Sequence, residues 1–99
     1  MDNSEKELSK LKFCYDEQGL LLRYPSKKGL RQAVLAKLAA HFQTGRDYTE
    51  KEVNAIISQH IAFSDVELMR RELYEAHFLN RLRDGSKYWK EPDPAQVSL

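Results

Sequence analysis

The sequence has one cysteine, three prolines, four glycines and one tryptophan in 99 residues. Each scarcity excludes something. The lone thiol, Cys14, forms no internal disulfide and suits a reducing cytoplasm. Its neighbours are Phe13 and Tyr15, and no basic cluster adjoins it to lower its pKa, so it reads as a half-buried strand position rather than a reactive nucleophile. Four scattered glycines leave no loop for cradling phosphates. No apolar run reaches the ~20 residues that cross a bilayer, and the opening "MDNSEKELSK" is charged where a signal peptide is apolar. A cytoplasmic chain without membrane association is expected. The three histidines, His41, His60 and His77, come without a His-Glu-x-x-His or a cysteine pair, so no metal site is predicted. His41 and His77 stand near helix ends, where a cation suits the dipole. A nucleophile-elbow sequence is also absent. No catalytic residue and no cofactor follow, and the chain is not expected to be an enzyme.

What is present suffices for one domain, with 41% hydrophobic residues and ten aromatics. Two stretches, "YTEKEV" at 48–53 and "FSDVEL" at 63–68, carry the same local signal. Thr49 and Ser64 have the character of helix N-caps. Glu52 and Glu67 stand three residues on, where a carboxylate reaches back to the cap. Tyr48 with Val53, and Phe63 with Leu68, have staple spacing. Two short helices are therefore predicted to start at Thr49 and Ser64, joined by a tight turn. The first carries Val53, Ile56 and Ile57 on one face. The second carries Val66, Met69, Leu73 and Ala76, a core stripe in which Met69 is filler. An earlier helix follows Ser26, its predicted cap, with Leu30, Val34, Leu35, Leu38 and Phe42 at helical spacing. Gly45 marks the turn after it, and Arg46–Tyr48 has room for a very short strand.

The flanks read as β-structure. "KFCYDEQGLLLRYP" predicts an N-terminal β-hairpin, turning at Asp16–Gly19 and ending at Pro25. "FLNRLRDGSKYWK" places Asp84–Gly85 between two β-like runs, a strong hairpin signal. A two-residue loop pairs Arg83 with Ser86, Arg81 with Tyr88 and Asn80 with Trp89. Which face of this hairpin lies inward is open. Residues 1–12 read as an arm with a weak helix offering only Leu8 and Leu11, and 91–99 as a disordered tail with two prolines. Residues 13–90 form the domain. Helix, helix, helix, hairpin is the layout of a winged helix. The fold class expected is α+β: a winged-helix-like helix-turn-helix domain with an N-terminal β-hairpin and a C-terminal wing.

The net charge of +1 hides segregation. Residues 18–46 hold six bases and no acid, residues 47–75 seven acids and three bases, and residues 76–90 four bases and one acid. Such asymmetry marks either a face for a polyanion or complementarity between neighbouring elements.

The segments "YPSKKGLRQAVLAKLAAHF", "YTEKEVNAII" and "LMRRELYEAHFLNRLRDGSKYW" resemble the bacterial domain-of-unknown-function family 2087. That family carries a Pro-Ser-Lys start, a Tyr-Thr-Glu-x-Glu-Val-Asn segment, an Arg-Arg-Glu-Leu segment and an Asp-Gly-Ser-x-Tyr-Trp end. The resemblance covers about residues 13–90. It implies a winged-helix-like fold and an association with transcriptional regulators, and it implies no ligand or reaction.

Two functions then compete. One is nucleic-acid binding in transcription regulation. The predicted recognition helix begins "SDVELMRREL", and four acids against two bases between Asp65 and Glu75 disfavour reading of the major groove. Contacts to phosphate are expected instead from the first helix and the wing, through Lys27, Lys28, Arg31, Arg70, Arg81, Arg83 and Lys87. The other is a protein-interaction or dimerisation module of the same fold that does not bind DNA. The partners these readings admit are duplex DNA, a second copy of the chain or a regulator protein. Three successive leucines at 20–22 cannot share one side of a strand, so that segment either meets another subunit or is buried on both faces.

Overall fold

A computed structural model describes residues 10–91. The predicted weak helix and Leu8 of the arm, and the predicted disordered tail beyond Glu91, lie outside these residues. The described residues form three α-helices and one three-stranded antiparallel sheet: α1 Lys28–Ala39, β1 Asp47–Tyr48, α2 Glu50–Ser58, α3 Val66–Glu75, β2 Leu79–Arg81 and β3 Tyr88–Lys90.

The start of α2 follows from its sequence. Thr49 Oγ1 accepts from the Glu52 N–H at 3.1 Å, and Glu52 Oε1 accepts from the Thr49 N–H at 2.8 Å. This complete capping box holds the Glu52 carboxyl below the usual range, chiefly through the Thr49 backbone bond. Val53 and Ile57 are fully buried on the opposite face. The start of α3 corrects the prediction. Its cap is Asp65, whose Oδ1 accepts from the Leu68 N–H at 3.1 Å, and not Ser64. A carboxylate is the stronger acceptor for an orphan N–H, and it also opposes the positive end of the helix. The core stripe of α3 is as expected. Met69 and Leu73 are fully buried, with Val66 and Ala76 packed against the core.

The start of α1 is a second correction. Ser26 does not cap it; Lys27 occupies the cap position and makes no side-chain bond. No acidic residue lies in the first turn. The chain is positioned there by Arg31, whose Nε donates to the Pro25 carbonyl at 2.7 Å. Its buried face, Leu30, Val34, Leu35 and Leu38, continues into Phe42 as predicted.

The N-terminal hairpin is a third correction. Leu11–Cys14 is a turn of 3-10 helix, and only one antiparallel bridge, Tyr15 to Leu21, remains of the two predicted strands. The turn itself is built as expected. Asp16 Oδ1 accepts from the N–H groups of Gln18 and Leu20, both at 2.9 Å, and Gly19 has φ +86°. Leu21 is drawn away to the chain after α2: its N–H donates to the His60 carbonyl and its carbonyl accepts from Ala62. Shared between two single bridges, the segment never becomes a ladder. Leu21 is buried while Leu22 stays 47% exposed, so the leucine run is not covered on both sides. Cys14 is buried, in the 3-10 turn rather than a strand.

In the sheet β3 is central, in the order β1–β3–β2. The register Leu79↔Lys90, Asn80↔Trp89, Arg81↔Tyr88 matches the expectation. The loop is longer than expected. Leu82 N–H donates to the Lys87 carbonyl, and Gly85 N–H to the Leu82 carbonyl, so Arg83 lies in the turn rather than pairing with Ser86. Gly85 at φ +77° takes the left-handed position. Asp84 Oδ1 accepts from the Ser86 N–H and hydroxyl, which holds the Asp84 carboxyl below its usual range. The face of Tyr88, which is buried, points inward. Beyond α3 the chain reverses in a Schellman motif. Phe78 N–H donates to Leu73 and His77 N–H to Tyr74, with His77 itself at φ +67°.

Candidate functional site

The seven predicted bases do not share one environment. Lys27 and Lys28 are exposed at the uncapped start of α1. Arg31 beside them folds back on the chain, with its guanidinium 4.9 Å from the Tyr24 ring centre. Arg70 is largely withdrawn from solvent: its side chain is 17% exposed, its Nη1 donates to Asn54 Oδ1 at 2.5 Å, and its Nε lies 3.8 Å from Glu50 Oε1. Arg81 lies 5.0 Å from the centre of the Tyr74 ring, with Nη1 close to the carbonyls of Leu82 and Arg83. Lys87 pairs with Asp47 at 3.5 Å, across the β1–β3 edge. Arg83 is exposed in the hairpin loop, with no side-chain partner among the described residues.

Helix α3 separates these groups. Residues two apart on a helix point to opposite flanks. Glu72 accepts from the Tyr24 hydroxyl at 2.7 Å, on the side of α1. Arg70 faces Glu50 and Asn54, on the side of α2 and the hairpin. Burial and the Glu72 bond together push the Tyr24 hydroxyl well above its ordinary pKa. The exposed edge between the flanks carries Glu67, Arg71 and Glu75.

On the hairpin flank lies a cleft of about 250 Å³. Its organiser is Glu50, the first residue of α2. Glu50 Oε1 accepts from the Tyr88 hydroxyl at 3.1 Å and faces Arg70. Burial, then the Glu50 bond, raises the Tyr88 pKa. Sequence reasoning found the capping role of Glu52 and no site role for Glu50. The fold divides them: Glu52 closes the capping box, and Glu50 turns to the cleft. Tyr24, Asn54, Tyr74 and Tyr88 were also missed as polar partners. Two of the segments that carry the family resemblance meet here, 48–57 through Glu50 and Asn54, and 68–89 through Arg70, Arg71, Arg81 and Tyr88. Their convergence is a signal that spacing along the chain does not contain.

A second cavity, of about 40 Å³, lies between α1 and the N-terminal turn, and it is lined by Tyr15, Leu21, Val34, Leu38, His41 and His60. The two imidazoles stack with centres 3.5 Å apart and planes within 10°. Burial, His60 and Lys37 lower the His41 pKa. Burial pushes the Tyr15 hydroxyl up to about 12. Ring nitrogens hold their lone pairs in the ring plane, so stacked rings do not converge on a metal. Among the described residues no three His, Cys, Asp or Glu side chains gather into a metal-holding group. No helix among them is long and apolar enough to cross a membrane.

No curated protein and no solved structure matches the chain. The family model described as "uncharacterized protein conserved in bacteria (DUF2087)" matches residues 20–90, which span all three helices and the sheet, and the chain belongs to that family.

Proposed function

We propose that this chain is a non-enzymatic, transcription-associated interaction module with a winged-helix layout, and that its partner is a protein rather than duplex DNA. The layout is supported by the element order α1–β1–α2–α3–β2–β3 and the strand order β1–β3–β2, with the Asp84–Gly85 hairpin as the wing. The transcriptional association rests on the family resemblance carried by the Tyr48–Asn54 and Asp84–Trp89 segments. The observation that carries the choice of partner is the engagement of the bases. Arg31, Arg70, Arg81 and Lys87 are held by groups of the chain itself, and the acidic edge of α3 stands between the remaining ones. A helix edge bearing Glu67 and Glu75 repels phosphate and is compatible with a protein surface of mixed charge.

The second reading is phosphate binding at the start of α1 and the hairpin tip. It is favoured by Lys27 and Lys28, exposed beside backbone N–H groups that no side chain caps, and by Arg83. Titration of a labelled mixed-sequence duplex separates the two. The docking reading expects dissociation constants weaker than about 10 µM at physiological salt, within the ordinary non-specific range. Tight, saturable binding overturns it in favour of the DNA reading.

A further inference from the structure

The cleft on the hairpin flank of α3 contains more charge than its own contacts use. Its floor is closed, since Glu50 serves both Tyr88 and Arg70. Its walls are not. Arg71 stands one turn from both Glu67 and Glu75, the spacing of helical ion pairs, yet neither pair closes among the described residues. Arg81 has a ring beneath it and carbonyls beside it, but no carboxylate partner among the described residues. Two guanidinium groups and two carboxylates therefore line one concave surface with donors and acceptors unspent, next to the half-exposed ring of Tyr74.

The geometry points to a binding site for a zwitterion of the free α-amino-acid class. Its carboxylate lies between Arg71 and Arg81, its ammonium group against Glu75 or Glu67, and its side chain along Tyr74. A planar guanidinium matches a carboxylate in two-point contact. Arg81 is pre-oriented for it. The Tyr74 ring, 5.0 Å away, and the carbonyls of Leu82 and Arg83 limit the freedom of this guanidinium before any ligand arrives. The flanking carboxylates select against a doubly charged phosphate, which they repel, and against a simple anion, which leaves them unpaired. The cleft of about 250 Å³ has room for one amino acid. The site shares Glu67 and Glu75 with the docking edge and Arg81 with the bases considered for phosphate, but its test uses neither a protein nor a duplex, so it stands or fails separately from both readings.

The test is a titration of the full chain, labelled with nitrogen-15, followed by backbone amide shifts. The probes are glycine, L-glutamine, L-arginine and L-phenylalanine, with sodium acetate, methylammonium chloride and inorganic phosphate as controls. At least one amino acid should saturate at about 1 mM or below, with shifts concentrated at residues 67–75 and 81–88. Acetate, methylammonium and phosphate should each bind about tenfold more weakly or worse. Arg81→Gln and Glu75→Gln should each weaken the amino acid about tenfold, while Arg83→Gln leaves it unchanged. Should Arg81→Gln disturb the fold, the exposed Arg71→Gln reports the same loss. Saturation by acetate or phosphate at equal strength overturns the proposal in favour of a simple anion site. An amino acid that binds the Arg71 and Arg81 variants as well as the parent, or no saturation by any of the four, also overturns it.

Discussion

The two flanks of α3 solve the same problem with different economy. On the hairpin flank, one carboxylate, Glu50, ties three elements together by meeting Tyr88 of β3 and Arg70 of α3 from the start of α2. On the α1 flank, one hydroxyl, Tyr24, reaches Glu72, and Arg31 lies over its ring. The first arrangement withdraws a guanidinium from water and makes it dependent on its partner. The second leaves its arginine exposed, held by the Pro25 carbonyl and the Tyr24 ring but by no carboxylate among the described residues. The difference teaches where the bases of this chain are structural and where they are free. Part of the charge segregation along the sequence is internal complementarity: Arg46 with Glu52 and Lys87 with Asp47 join a basic stretch to the acidic one.

The comparison breaks most readily at Glu50. Glu50→Ala leaves Arg70 part-buried without its carboxylate and the Tyr88 hydroxyl without its acceptor, and should cost about 2 kcal/mol in urea unfolding. Tyr24→Phe removes a single bond on the other flank and should cost about 1 kcal/mol. If the two variants are equal, the hairpin flank has no organiser. The helix starts sharpen the contrast further. Asp65→Ala should cost about 1 kcal/mol, from loss of the cap. Ser64→Ala should leave the denaturant midpoint where it is, since Ser64 makes no cap bond. At the other end of α3, His77→Gly relieves a left-handed residue and should raise stability by about 0.5–1 kcal/mol, read from the same unfolding curve.

The smallest effect is a pH dependence. His41 in the folded chain resists protonation because of burial, His60 and Lys37. The unfolded chain takes that proton near pH 6.5. Below that pH the unfolded state binds more protons than the folded one, so stability is full above it and declines as the pH falls. The melting temperature should drop modestly between pH 7.5 and 5.5, and His41→Gln should flatten that drop.

Local signals in the sequence were legible where they were complete within a few residues. The Thr49 box, the Asp84–Gly85 turn, the Asn80↔Trp89 register and the Met69–Leu73 core stripe are of this kind. At the start of α3, two adjacent cap residues, Ser64 and Asp65, each satisfy a short pattern, and the competition between them is settled by acceptor strength. The first hairpin failed because Leu21 is claimed by the chain around His60–Ala62, about 40 residues on, which no local pattern records. The candidate site failed for the same reason on a larger scale. Tyr24 and Glu72 are 48 residues apart, and Tyr88 and Glu50 are 38 apart. Composition located the bases, but only the fold decided which of them are engaged.

The central claim is that few bases remain for a polyanion, and the salt dependence of residual duplex binding tests it most directly. Each phosphate contact contributes about −0.9 to the slope of log affinity against log salt. With Lys27, Lys28 and Arg83 the free members of the set, anisotropy titrations across a salt series should give a slope no steeper than about −2.7. A slope of about −4.5 or steeper requires five or more contacts. It would mean that bases beyond these three, whether the exposed Arg71 or the engaged Arg31, Arg70, Arg81 and Lys87, take phosphate as well, and it would contradict the account.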